Sequence, residues 1–340
     1  MRFIVYGAGA IGSTLGGHLH RTDHDVVLVG NSEHVDRIRE SGLRLVTPEQ
    51  TYVLKISAVK KAEELAPFRD DDVLLLTAKS QHTLTCLGQL RNAGAPRTLP
   101  VFCVQNSICN EALATRVFGR VYGVMVNVPG IFLQPGEVIN PIVGNRGFLE
   151  VGLYPSGLDE LAREVAESFK KAGFVGGVNE SVMRAKAAKC LGNLGNAMGA
   201  ITDGRGDSSE LMAAVRREAV EVWKAAGIEW EDREEFQKRV RSQRGTTTMP
   251  EGYKTIRSRG SSWQSLVRGT GNIEAQQLNG DVVALGRLLS IKTPCNELLW
   301  RLAAEMAEKG EKPGKYSAED LTKMLSVRSA ETEQRPKSAN

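Results

Sequence analysis

At 340 residues the chain is long enough for two domains, each with a sizeable core. Its 41% hydrophobic and 25% charged content is that of an ordinary globular protein, and 44 basic residues interspersed with 40 acidic ones leave a net charge of only +4. No basic block interleaved with aromatics occurs, which argues against nucleic-acid binding, and no apolar run approaches the roughly 20 residues of a membrane span.

The N-terminus, MRFIVYGAGA, enters a strand pattern at once and leaves no room for a signal peptide. The cysteines (Cys86, Cys103, Cys109, Cys190 and Cys295) are odd in number and scattered, with no C-x-x-C. That pattern speaks against a disulfide framework or a zinc site and for a reducing compartment, so a cytoplasmic location is expected. RFIVY runs directly into GAGAIG, a helical pattern follows through Leu15 and Leu19, and DVVLV makes a second strand. The G-x-G-x-x-G spacing therefore lies between strand and helix inside a βαβ unit. Gly7 permits a tight turn, Gly9 lets the backbone approach a pyrophosphate, and Gly12 lets helix and strand pack closely. With Ala8, Ala10 and Ile11 between them, these glycines are expected to hold a dinucleotide on the helix N-terminus.

The end of the second strand chooses the cofactor. NAD binders place Asp or Glu there for the ribose 2′-OH. Here the strand ends VLVGNSEHVDR, with Gly30, Asn31 and Ser32 where the acid would stand, Glu33 slightly late, and Arg37 one turn into the next helix. That favours NADP(H), with Asn31 near the 2′ position; otherwise Asn31 only caps the following helix. Further on, DDVLLLTAKS and TLPVFCVQNS read as buried strands with Lys79 and Asn106 just past their carboxyl ends, where open α/β sheets bind ligands. Either residue could equally be ordinary loop chemistry. Residues 120 to 151 read as short strands that extend the sheet antiparallel, LDELAREVAESFKKAG as an amphipathic helix, and FVGGV as a closing strand.

The composition shifts near Asn179, and from there the pattern is helical. One long helix is expected to carry Lys189, Asn193 and Asn196, which at i, i+4 and i+7 share a face. That face is either solvated or turned toward a ligand. A second helix spans Ser208 to about Ala226. A charged, irregular segment runs from Glu229 to Tyr253, and RSQRGTTTMPEG within it shows no packing pattern and reads as a mobile insertion. Helical periodicity resumes with IEAQQLNGDVVALGRLLSI and NELLWRLAAEMAEK, and SAETEQRPKSAN reads as a disordered tail. The domains expected are thus 1–178, a Rossmann-type doubly wound α/β sheet; 179–328, all helical; and a tail at 329–340.

All five histidines lie at or before His82, so the second half offers no imidazole as proton donor. A carbonyl reduction needs one, and a lysine tuned by burial or neighbouring charge can serve. Lys189 stands in an otherwise apolar helix. Glu274 is either a first-turn residue favoured by a helix dipole or a carboxylate for a substrate hydroxyl or for Lys189. Ser262 offers a hydroxyl for a substrate carboxylate.

The order GAGAIG, TAKSQ, QNS, K-x-x-x-N-x-x-N, then SS followed by E-x-x-x-x-N-G resembles the ketopantoate reductase (2-dehydropantoate 2-reductase) family from Met1 to about Met306. The resemblance implies an N-terminal Rossmann domain and a helical C-terminal domain like those of 6-phosphogluconate dehydrogenase relatives. It implies Lys189 as general acid and Glu274 holding the substrate hydroxyl. It also implies Asn106 at cofactor and substrate, Asn193 at the substrate, Ser262 at its carboxylate, and Lys79 in the active-site region; Asn196, seven residues after Lys189 where some members have eight, is a further candidate for the substrate. The sequence departs from the family at Asn31, usually arginine, at Ser107, usually glycine, and in SSWQSL, where Leu266 stands for a common aspartate and Trp263 for methionine. The activity expected is NADPH-dependent reduction of a small 2-oxo acid, 2-dehydropantoate to pantoate. The alternatives are a reductase of the same fold acting on another oxo acid or ketone, and a non-catalytic NADP(H)-binding redox sensor. A homodimer is compatible with the resemblance alone.

Overall fold

A computed structural model describes residues 1–30, 32–254, 260–269 and 271–333. The chain divides into two units: Met1–Cys190 with Trp230–Arg257, and Leu191–Glu229 with the residues from Ser258 onward. The path opens with β1 (Arg2–Tyr6), α1 (Ala10–His20), β2 (Asp25–Val29) and α2 (Ser32–Ser41). A hairpin of β3 (Leu43–Val46) and β4 (Thr51–Leu54) leads to β5 (Ser57–Val59). Then come β6 (Asp72–Leu76), α3 (Thr83–Asn92), β7 (Val101–Cys103), α4 (Asn110–Thr115) and β8 (Val121–Asn127). β9 (Glu137–Ile139) and β10 (Ile142–Val143) precede β11 (Phe148–Leu153), α5 (Glu160–Lys171) and β12 (Val175–Val178).

The main sheet has the order β12-β11-β8-β7-β6-β1-β2-β5. From β5 to β8 all neighbours are parallel, and in chain order these strands follow the 3-2-1-4-5-6 arrangement of dinucleotide-binding sheets. β11 joins β8 antiparallel and β12 closes the edge beside it, as the sequence led one to expect. Unbroken apolar runs make these strands because both faces are covered. Phe3, Val5, Val26, Leu28, Val73 and Leu75 enter one layer with Leu15 and Leu19 of α1. Ile4, Tyr6, Val27, Val29, Leu74 and Leu76 enter the other with Leu87 and Leu90 of α3.

α6 (Val182–Asn193) begins in the first unit and ends in the second. Its first turns press on β8 and β11, where a Cβ on Gly123 or Gly152 would strike Val182. The division between the two compact units thus falls within this helix, whose first half is held by the sheet. It is not one long helix. Leu194 and Gly195 form a turn, and α7 (Asn196–Ile201) starts afresh. Gly192 and Gly195 weaken helical propagation, and the Leu194 carbonyl accepts Asn279 Nδ2 at 3.1 Å.

α8 (Ser209–Ala225) matches the helix expected there. The segment expected to be irregular from Glu229 to Tyr253 is instead structured, and from Trp230 it forms a strap belonging to the first unit. Within it α9 (Arg233–Gln243) is capped by Asp232, which accepts from the amides of Glu234 and Glu235 at 2.9 and 3.0 Å. Phe236 and Val240, one turn apart, bury against Met125, Phe148 and Val182. The Arg239 guanidinium pairs with Glu231 at 2.6 Å and with Glu150. β13 (Thr246–Thr247) pairs with β10, and the Tyr253 hydroxyl donates to Glu137 at 2.8 Å. Two apolar residues and a set of ion pairs leave no stripe for periodicity to find.

The second unit resumes with α10 (Ser261–Arg268), a 3-10 turn at Glu274–Gln277, α11 (Asn279–Leu288), α12 (Pro294–Glu308) and α13 (Ala318–Glu333). Leu298, Leu299, Leu302 and Met306 of α12 are buried against α7, α8 and α11. α13 extends into the stretch expected as a tail, where alanine and glutamate favour helix; residues 334–340 lie outside the described residues. Among the described residues no helix is long and apolar enough to cross a membrane.

Candidate active site

The chain leaves β1 through Gly7, whose φ of +118° suits glycine and whose Cβ would collide with the backbone of Ala78. The amides of Gly7 and Ala8 both donate to the Val29 carbonyl at 2.9 Å, locking the turn to β2. Gly9 is the N-cap of α1 and supplies no side-chain cap, while a Cβ on it would meet nothing within 4 Å. A helix start with first-turn amides, in open space, is what a pyrophosphate requires. Gly12 differs from its expected part. Its Cβ would strike the Gly7 carbonyl and Thr77 Oγ1, so it keeps the turn tight against the end of β6. The close helix–strand approach falls instead at Gly16, where a Cβ would lie 2.5 Å from Leu28 Cδ2. Ala8 packs beneath Gly30, and Ala10 and Ile11 open α1. Asn31 lies outside the described residues.

The loops after β6 and β7 are tied together by a buried polar network. Gln105 Nε2 donates to the Ala78 carbonyl at 2.7 Å and to Thr83 Oγ1 at 2.9 Å. Thr83 Oγ1 donates to Asn110 Oδ1 at 2.7 Å, and Asn110 Nδ2 donates to Ser80 Oγ at 3.0 Å and to the Asn106 carbonyl at 2.9 Å. Lys79, half-buried, and Asn106 are thereby fixed on neighbouring strand ends. Ser107, next in line, has φ +72°.

Lys189 belongs to this frame. The last paired residues of β7 and β8 are Cys103 and Gly123. Beyond them β8 continues, and two ammonium groups from α6 take its carbonyls. Lys186 Nζ donates to Val124 at 3.1 Å, and Lys189 Nζ, one turn on, donates to Val126 and to Asn106 Oδ1, the latter at 2.8 Å. Three residues along a helix advance about 4.5 Å and two along a strand about 7 Å, a mismatch that lysine arms span. Lys189 is thus half-buried and held, not on a solvated face.

The other expected site residues lie in the second unit. Asn193 closes α6, and Asn196 opens α7 with its Oδ1 beside Gly260, the residue before α10. Ser262, in α10, is 1% exposed, and among the described residues its Oγ has no hydrogen-bond partner. Glu274 is the first residue of the 3-10 turn, and it is buried. Asn279 of the E-x-x-x-x-N-G segment has a structural duty, donating to the Leu194 carbonyl and, at 3.0 Å, to Asn296 Oδ1. Leu266 is buried.

Sequence reasoning passed over Lys186, Glu111, Ser80, Thr83 and Asn110. The lysine pair three apart in AKAAKC was the signal available for the first; a single acid or hydroxyl in a short helix gives none.

The strand order and the glycine turn define a dinucleotide-binding α/β fold. The family model described as ketopantoate reductase PanE/ApbA matches residues 3–155, and its C-terminal counterpart matches residues 181–307. The 2-dehydropantoate 2-reductase of Pyrococcus horikoshii is 30% identical over 310 residues, covering 89% of this chain and 96% of that one. The solved structure of a PanE/ApbA family ketopantoate reductase from Ralstonia eutropha JMP134 is similar with a TM-score of 0.75 at 28% identity, covering 91% of this chain and 99% of that one. D-mandelate dehydrogenase, in a ternary structure with NADH and anilino(oxo)acetate, shares the fold with a TM-score of 0.74 at 20% identity over 91% of this chain and 99% of its own. The chain belongs to the ketopantoate reductase family and is an oxidoreductase.

Proposed function

We propose that the chain reduces a small 2-oxo acid, 2-dehydropantoate to pantoate, with NADPH as reductant and Lys189 as general acid. The observation that carries this reading is the Lys189 ammonium held by Asn106 Oδ1 and the Val126 carbonyl, in the unit that bears the glycine turn. The uncapped start of α1 and the open space at Gly9 fit a dinucleotide pyrophosphate. Bound there, the reduced nicotinamide supplies a hydride for the keto carbon. Charge then develops on the keto oxygen, and Lys189 donates the proton that turns it into a hydroxyl. Asn106 orients the amine and borders cofactor and substrate, with Lys79 on the adjoining strand end. The Ser262 hydroxyl, buried and without a hydrogen-bond partner among the described residues, supports a part in receiving the substrate carboxylate. Glu274 accepts from the substrate hydroxyl, and Asn193 and Asn196 offer amide groups to the same molecule. NADPH in preference to NADH rests on Gly30, Asn31 and Ser32 standing where an acid would select NADH.

A second reading, the same chemistry on another 2-oxo acid or ketone, is favoured by the buried Leu266 and the neighbouring Trp263, which replace the residues common in the family. Oxidation of NADPH and NADH followed across 2-dehydropantoate and a panel of 2-oxo acids separates the two. NADPH-dependent turnover of 2-dehydropantoate above the rest is expected. Binding of NADPH without turnover of any panel member overturns both readings. Lys189→Ala is expected to lower kcat by ~10²-fold or more, the usual contribution of a positioned acid, with NADPH still bound in a fluorescence titration. Full turnover by that variant removes Lys189 from the role.

A further inference from the structure

Lys186 and Glu111 form an ion pair at 2.7 Å, with side chains 3% and 0% exposed. Burying two charges is costly and is recovered only where hydrogen bonds satisfy them, so such a pair is weak evidence for stability alone. Besides Glu111, Lys186 Nζ reaches the carbonyls of Cys103 and Gln105 at 3.0 Å and of Val124 at 3.1 Å. Each of these lies on the frame of Lys189. Gln105 precedes Asn106, whose Oδ1 accepts from Lys189, and Val124 lies two residues before Val126, whose carbonyl accepts from it too.

We propose that Lys186 and Glu111 are a charge-balanced positioning pair, which fixes both acceptors of Lys189 and sets the field in which that amine holds its proton. This deepens the assignment of Lys189 as general acid and rests on it. Among the described residues of the first unit, the charged and titratable groups around the frame come from several elements, and Cys190 follows Lys189 directly in α6. Lys186 shares the helix of Lys189, and Glu111 comes from α4. The thiols of Cys103 and Cys109 come from β7 and the loop after it, and Lys79 follows β6. Arg244, from the strap, donates to Asn127 Oδ1 at 3.2 Å. Burial pushes the Cys103 thiol well above its ordinary range, so it stays uncharged. Lys186 and Glu111 are opposite charges in contact, and each can be removed separately.

Removing one half leaves the other unbalanced: the Lys186 ammonium stands about 7 Å from Lys189, judged by two residues of strand, and the Glu111 carboxylate is 2.7 Å from Lys186. Lys186→Met leaves a carboxylate, which favours the protonated amine; Glu111→Gln leaves an ammonium, which disfavours it. The alkaline limb of kcat/KM is expected to move up in the first variant and down in the second, each by roughly one to two pH units for unit charges about 7 to 10 Å away at an effective dielectric of about 20. The double variant returns the limb to the parent position. A nitrogen NMR titration of the lysine amines, with Lys189→Arg to assign the signal, reads the same shifts without turnover.

Opposed shifts that cancel in the double variant support the proposal. Parent-like limbs in both single variants overturn it and leave the pair as packing. Should Lys186→Met fail to fold, Glu111→Gln decides, since it keeps the lysine on its three carbonyls; an unmoved titration there overturns the proposal. Full turnover by Lys189→Ala refutes the acid assignment instead, and the NMR titration still judges the pair.

Discussion

His34 accepts the Gly136 amide on Nδ1 at 2.8 Å and lies 3.0 Å from Ser13 Oγ through Nε2. Both contacts suit one neutral tautomer, with the proton on Nε2, and burial pushes the pKa down to about 4. His18, beside Asn140, is pushed down to about 3 by burial and then by the charges of Arg146 and Arg21. A histidine lowered in the folded state binds fewer protons there than in the unfolded chain. Its contribution is whole above pH 6.5 and is lost as pH falls toward 4 for His34 and toward 3 for His18. Thermal unfolding is expected to show this acid loss, on the order of 3 kcal/mol for His34. His34→Gln, which cannot take the charge, should be weaker at pH 7.5 yet lose less between pH 6.5 and 4. An equal acid slope in parent and variant would assign the loss elsewhere. At the same scale, the φ of +72° at Ser107 gives a physical reason for the glycine usual at that position, since only glycine enters the left-handed region without cost. Ser107 keeps the shape with its own hydroxyl, which accepts the Cys109 amide at 3.3 Å.

Among the elements, the strap departs furthest from what its sequence suggested. α9 seats Phe236 and Val240 in a cluster with Met125 and Phe148, both fully buried. Phe236→Ala is expected to cost about 3 kcal/mol and to loosen the segment, so that trypsin cleaves at Arg241 and Arg244 much faster than in the parent. Cleavage at the parent rate would show that the ion pairs of Arg239 hold the strap without the aromatic ring. The glycine turn and the strands of the main sheet were legible because the motif and the apolar runs act locally, each residue's part being set by its immediate neighbours. The break between α6 and α7 was hidden because Leu194 and Gly195 continue an apolar pattern; what stops the helix includes Asn279, far along the chain. The frame of Lys189 was half legible for the same reason. A lysine in an apolar helix signals itself, whereas the carbonyls of Val124 and Val126 exist in every strand and acquire meaning only where β7 ends.

For the molecule as a whole, composition and motif order led to the right fold and family, while the division into compact units falls inside a helix, where no shift in composition marks it. The nucleotide-binding unit is assembled from two lengths of chain with Leu191–Glu229 between them. A ribosome releases residues strictly in order. When Lys189 has cleared the exit tunnel, the seat for α9 on Met125 and Phe148 is still bare, and it stays so while the first helices of the other unit emerge. Translation thus interleaves the two halves, so that the nucleotide-binding fold is finished late, by a segment born after part of its companion.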